Sequence, residues 1–153
     1  MIDKKLSMDE LDRKIILELQ KNGRASYKTI AKKLMVSDGT VRFRVNRMIK
    51  KNLLRISALI NPFYFENSIT ALIGMQLENR TQVETMKKIS QLKNVLFVSN
   101  AAGHYDLFLE VFLNSRKELN RFLFEELAKI EGIRSTETFV YLDALDKWIE
   151  LKQ

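Results

Sequence analysis

Between positions 37 and 51 the chain reads Ser37-Asp38-Gly39-Thr40-Val41-Arg42-Phe43-Arg44-Val45-Asn46-Arg47-Met48-Ile49-Lys50-Lys51. At the roughly 100° that each residue turns on a helix, Val41, Val45, Met48 and Ile49 share one arc. Gly39, Thr40, Phe43, Asn46, Arg47 and Lys50 share the opposite arc, with Arg42 and Arg44 on its flanks. That division suits a helix anchored by apolar residues and offering donors to a DNA major groove. Arginine pairs bidentately with guanine, asparagine with adenine, and a ring or methyl touches the thymine methyl. An outward Phe43 does nothing for solubility, so base contact gives it a reason; the alternative is packing against a wing or a neighbouring chain. Ser37 is placed to cap this helix. Ser26, Tyr27 and Lys28 open the one before it, whose N-terminal amides can hold a phosphate. Lys32, Lys33, Lys50 and Lys51 add attraction that is indifferent to sequence.

The charge distribution agrees with that placement. Positions 1–55 hold 15 Lys and Arg against 6 Asp and Glu, a net of +9, whereas the remainder holds 11 against 13, a net of −2. A basic module joined to a near-neutral one implies that contact with a polyanion is delegated to the first. Zero cysteines exclude disulfides, thiolate metal sites and cysteine nucleophiles. No apolar run nears the roughly 18 residues of a membrane span, and no signal-peptide pattern opens the chain. The expectation is a soluble, cytoplasmic protein without membrane contact, metal or cofactor.

Three short helices must position the arc. The first carries Leu11, Ile15, Ile16 and Leu19 on one stripe, is capped by Ser7 with Glu10 or by Asp9 with Asp12, and ends at Asn22-Gly23. The second follows Ser26 with Tyr27, Ile30, Ala31 and Leu34 inward, and the third stops near Asn52. Residues 54–60 read as a strand, which completes a winged helix-turn-helix pattern over 1–55. The single proline, Pro62, marks a strand and linker over 56–67.

From 68 to 153 the periods of two and 3.6 alternate. Strands are expected at 68–77, 95–102, 105–113 and 133–142. Two helices intervene, opened by Thr81-x-x-Glu84 and Ser115-x-x-Glu118; the first turns Val83, Met86, Ile89 and Leu92 inward, the second Leu119, Phe122, Leu123, Leu127 and Ile130. The order β-α-β-β-α-β is ferredoxin-like, so the whole chain is α+β. In the third strand Leu107, Leu109, Val111 and Leu113 line one face, while Phe108 and Phe112 flank Glu110 on the other. In the second, Val95 and Phe97 oppose Leu96 and Val98. Helices cover only one face of such a sheet, so a second apolar face calls for a second copy, and a homodimer is expected.

In order and spacing the chain resembles the Lrp/AsnC (feast/famine) transcriptional regulators over nearly its whole length. The stretches that carry the resemblance are Leu11-Asp12-Arg13-Lys14-Ile15-Ile16, Asn22-Gly23-Arg24-Ala25-Ser26-Tyr27, Val36-Ser37-Asp38-Gly39-Thr40-Val41-Arg42-Phe43-Arg44-Val45, Gly103-His104-Tyr105-Asp106-Leu107, and Gly132-Ile133-Arg134-Ser135-Thr136-Glu137-Thr138. The resemblance implies a DNA-binding domain joined to a ligand-sensing (RAM) domain, dimers through the latter, and assembly into tetramers or octamers. It also implies a small effector, commonly an amino acid, at Ala102, Gly103, His104, Tyr105 and Asp106, with Thr136 and Thr138. Backbone amides of the turn would meet a carboxylate and Asp106 an ammonium group; the alternative for Asp106 is a carboxylate that caps the turn. Three positions depart from the family's pattern. Met35 stands where a glycine is common before the third helix, and Asn52 where one is common after it. Ala102 replaces a threonine beside the turn, which removes a hydroxyl from the expected pocket.

An enzyme is the competing class. His104 is the sole histidine, and no nucleophile triad, phosphate-binding glycine loop or His-x-x-x-His occurs. Tetrapyrrole decarboxylases share this outline, but the groove-facing arc and the basic first third would be superfluous in one. A sequence-indifferent architectural protein is the third reading; flat binding across scrambled duplexes would mark it.

Overall fold

The structure, a computed structural model, describes residues 8–78 and 82–151. The chain divides into two compact units, Met1–Ser57 and Ala58–Gln153.

The first unit contains α1 (Glu10–Lys21), α2 (Tyr27–Leu34) and α3 (Asp38–Lys50). Asp9 caps α1 by accepting from the Asp12 N–H at 2.8 Å, and Asp12 answers the Asp9 N–H at 3.4 Å. This is the second of the two caps expected; Ser7, needed for the other, lies outside the described residues. Ser26 and Ser37 cap α2 and α3 by accepting from Thr29 and Thr40 N–H. Ile15, Leu19, Ile30, Ala31, Val41, Val45 and Met48 form the core, with Leu11, Ile16, Tyr27 and Leu34 packed against it. Ile49, expected inward, is 41% exposed. The turn between α2 and α3 keeps a left-handed residue although it lacks glycine. Met35 adopts φ 54° and ψ 43°, its side chain is 92% exposed, and Val36 N–H reaches Ala31 O at 3.1 Å. Asn52 likewise takes φ 54° beyond α3.

The strand expected over 54–60 does not form. Residues 54–59 join no ladder, and only Ile60 makes an isolated antiparallel bridge, to Ile149. The first unit therefore has its three helices without a paired wing among the described residues. Pro62–Tyr64 is a 3-10 turn, started by Asn61 Oδ1 accepting from Phe63 N–H at 3.0 Å.

The second unit contains β1 (Ile69–Leu77), α4 (Gln82–Ser90), β2 (Val95–Asn100), β3 (Leu107–Leu113), α5 (Arg116–Arg121) and β4 (Ile133–Val140). Its sheet is antiparallel in the order β2-β3-β1-β4, the ferredoxin-like arrangement. Ser115 caps α5 as expected, whereas Thr81 of the other capping box lies outside the described residues. The helix after Ser115 is not continuous. It widens into a π turn at Phe122–Glu126 and tightens to 3-10 at Leu127–Lys129, which seats both Phe122 and Leu127 in the core. Val83, expected inward on α4, is exposed, while Ile89 is fully buried.

One register detail corrects the expected alternation. Val95 pairs with Val111, but Phe97 pairs with Glu110, so β2 carries an extra residue at this point. Such a bulge turns the following residues over. Val95 and Val98 therefore face the helices, and Phe97 faces the other side with Glu110.

That other side is partly covered by the chain itself, which the expectation of a second copy did not foresee. Phe65 meets the Phe112 ring edge-on at 5.9 Å. The Lys147 ammonium reaches the buried Glu110 carboxylate at 2.5 Å, and Tyr141 N–H donates to Thr70 O at 2.9 Å. Phe97 and Phe139, on the two edge strands, remain 47% and 41% exposed, and Leu142, Leu145 and Trp148 are exposed too.

Candidate nucleic-acid interface and effector turn

On α3 the inner residues Val41, Val45 and Met48 are fully buried, while Phe43 is 67% exposed and Gly39, Arg42, Asn46 and Lys50 are exposed around it. The exposed face is thus apolar at its centre and polar around it. Arg42 lies over the Tyr27 ring, 5.7 Å from its centroid, and pairs loosely with Asp38 at 3.4 Å. The start of the second helix and the third helix are thereby tied together.

Arg44 and Arg47 are placed differently from the other members of the arc. Arg44 Nη1 donates to Asp9 Oδ2 at 2.5 Å and Asp12 Oδ1 at 3.0 Å. Arg47 Nη2 donates to Asp12 Oδ2 at 2.7 Å. Both guanidinium groups are half-buried and turned toward α1, and Asp12 is fully buried between them. Arg44 holds the Asp9 carboxyl below its ordinary range, helped by the Asp12 N–H, and Asp9 in turn raises Arg44. Reading Asp9 and Asp12 as a helix cap missed this second role. The signal was present: acidic residues three apart at the start of one helix and arginines three apart on another.

The serine hydroxyls at both helix starts are engaged in their caps. Ser26 and Ser37 each accept from a backbone N–H and share a further bond with the hydroxyl of Thr29 or Thr40. What remains for an anion is the first-turn backbone, including Tyr27 and Lys28 N–H. Lys33 is paired with Glu18 at 2.6 Å, as is Lys21 at 2.9 Å. Lysine hydrogen bonds, Lys33 first, hold Glu18 below its ordinary range.

In the second unit the turn between β2 and β3 is built by Asp106. Its carboxylate accepts from Leu77 N–H at 2.8 Å, its own N–H donates to Met75 O at 2.8 Å, and its carbonyl accepts from Ala101 N–H at 2.9 Å. This is the turn-capping alternative for Asp106. Tyr105 lies across Gly74, where an added Cβ would come within 2.8 Å of the ring. Its ring touches His104, Phe108 and Phe139, and its hydroxyl donates to Glu137. Gln76 donates to His104 O at 3.1 Å and accepts from Ser135 at 2.9 Å. Thr136 and Thr138 are not brought to this cluster. They pair with Met75 and Ile73, and so stand on the helix-facing side of the sheet. Ala102, Gly103 and His104 are exposed in the turn. Sequence reasoning missed Gly74 and Glu137, which the register of β1 and β4 places opposite each other.

No helix among the described residues is long and apolar enough to cross a membrane. Residues 8–49 match the AsnC-type helix-turn-helix domain and residues 70–147 the Lrp/AsnC ligand-binding domain. An uncharacterised helix-turn-helix-type transcriptional regulator of Pyrococcus furiosus is 42% identical, covering 92% of this chain and 95% of its own. The structure of Escherichia coli AsnC is similar with a TM-score of 0.72 and 28% identity, over 89% of this chain and 93% of that one. A Neisseria meningitidis transcriptional regulator, solved in complex with L-methionine, shares the fold at a TM-score of 0.74 and 18% identity, over 92% and 94% of the two chains. The chain belongs to the Lrp/AsnC family of transcriptional regulators.

Proposed function

We propose that the first unit reads duplex DNA through the exposed face of α3 and that the second unit pairs two copies and senses a small effector. The observation that carries the reading is Phe43, held outward and two-thirds exposed over a fully buried inner face. Gly39, Thr40, Arg42, Phe43, Asn46 and Lys50 enter the major groove. The first turn of α2 at Ser26, Tyr27 and Lys28 and the start of α3 at Ser37 lie on phosphates. Arg44 acts chiefly between the helices. The exposed Phe97 and Phe139, with Leu142 and Leu145, supply the apolar surface for the second copy, and tetramers or octamers would extend that pairing.

The effector proposed is an amino acid, the class of ligand in the Neisseria complex. Its carboxylate would meet backbone N–H groups of the turn at Ala102, Gly103 and His104. Asp106 is committed to Leu77, so the nearer carboxylate for an ammonium group is Glu137, held by Tyr105. The protein acts by binding rather than catalysis, in the cytoplasm. Selection of bound duplex from a random pool, with and without a panel of amino acids, tests the reading. An inverted repeat with half-sites about one helical turn apart is expected; equal recovery of all sequences overturns it.

A further inference from the structure

Asp12 is fully buried, a position that carboxylates occupy only when paired. Arg44 and Arg47 take one oxygen each, and Arg44 is met again by Asp9. Arg47 has Asp12 as its ion partner, its Nε is buried without a hydrogen bond, and a third of its side chain stays exposed. If these residues only held α1 against α3, apolar side chains would do so without desolvating charges or orphaning a donor. What apolar residues would not supply is a guanidinium fixed at the border of the face that carries Phe43, Asn46 and Lys50.

We propose that Asp12 is a positioning residue that buttresses Arg47, so that the remaining guanidinium donors meet guanine already oriented. Arg44, held by both carboxylates, is the strut that fixes Asp12. Rotamer freedom that Arg47 would lose on binding is lost on folding instead. The proposal rests on the DNA-reading role of α3 and adds to it a residue that touches no base.

The test uses the full chain and a selected duplex in which each guanine in turn is replaced by 7-deazaguanine, which lacks the N7 acceptor. Anisotropy titrations compare wild type with Asp12→Asn, Arg47→Ala and Arg47→Lys. Wild type is expected to lose roughly tenfold or more in affinity at one guanine per half-site. Arg47→Ala should erase that difference. Asp12→Asn should reduce it at least several-fold while affinity for an unrelated duplex and its salt dependence stay within twofold. If Asp12→Asn does not fold, Arg47→Lys, which keeps the charge without the fork, should likewise erase the difference. Undiminished discrimination in a folded Asp12→Asn, or discrimination retained in Arg47→Ala, overturns the proposal while leaving the DNA reading intact. Indifference of wild type to all duplex sequences overturns that reading instead.

Discussion

Among the described residues each unit buries one carboxylate, and the two are neutralised in different ways. Asp12 lies between α1 and α3 and receives two arginines of α3, from positions 32 and 35 residues away. Glu110 lies mid-sheet opposite Leu72 and Phe97 and receives a single lysine from 37 residues away, with Tyr141 beside it. Burial first and the Glu110 charge second push the Tyr141 hydroxyl above its ordinary value. Arginine is planar and offers donors in several directions, so one fork can hold a carboxylate and still face outward. Lysine is a point charge at the end of a flexible stem; here it meets Glu110 and lies over the Tyr141 ring, closing the C-terminal segment over the sheet. The same charge type ties two helices beside the proposed reading face in one unit and closes a seal in the other.

The seal is the easier to break. Lys147→Met removes the counter-charge of a carboxylate that has almost no exposure, and breaking a buried pair from one side costs about 3–5 kcal/mol. Denaturant unfolding should show that loss, and the double variant Lys147→Met/Glu110→Gln should recover most of it. A loss below about 1 kcal/mol in the single variant would mean that Glu110 reaches water by another route.

A second variant separates fit from charge on the same face. Gly74→Ala forces a methyl against the Tyr105 ring at 2.8 Å, and overpacking of this kind costs about 1–3 kcal/mol. Tyr105→Ala in the same chain should relieve most of the strain, because it removes the atoms that the new Cβ meets. Without that rescue, the close approach at Gly74 is not what limits the position.

The two regions were also unequally legible. Stripes of apolar residues at helical spacing located α1, α2 and α3, since each core position follows from a local period and a capping Ser or Asp. The ferredoxin-like order followed from alternation and from Ser115-x-x-Glu118. What local pattern could not show was anything set by partners distant in sequence. Arg47 sits at the edge of the outward arc, and only the position of Asp12 on another helix decides which way it turns. Strict alternation gives Phe97 the face of Val95, and one extra residue in the β2–β3 register reverses it. Residues 54–60 have strand-like composition, yet a strand needs a ladder to join, and the one bridge among the described residues of this segment is Ile60 with Ile149. Asp106 is legible as either a ligand or a cap because a carboxylate in a turn serves both; Leu77, 29 residues away, occupies one of its oxygens.

On the exposed face of α3 the effect on stability should nearly vanish. Phe43→Ala removes a ring that is two-thirds exposed, so unfolding free energy should stay within about 0.5 kcal/mol of wild type. Affinity for a selected site should fall, and discrimination at one thymine should fall with it, read by comparing thymine with uracil. A large loss of stability would place the ring against a neighbour, which is the packing alternative for this residue.

The smallest effect tests whether the helical carboxylates are electrostatic at all. Asp9 is exposed, and Arg44 holds its carboxyl below the ordinary aspartate value of about 3.9. A group with a lowered folded value stabilises above its unfolded value, and that stabilisation disappears as pH falls through the folded one. Wild type should therefore lose stability on acidification from about pH 4 downward. Asp9→Asn keeps the helix cap, since asparagine caps as well as aspartate, but has no charge to lose. The difference in unfolding free energy between the two should shrink toward zero in acid and also at high salt, where an exposed pair is screened. Glu10 and Glu18 are lowered by lysines in both proteins, so they cancel in the difference. If the gap between wild type and Asp9→Asn ignores both pH and salt, Arg44 is held there by Asp12 and by packing, and Asp9 serves the helix only as its cap.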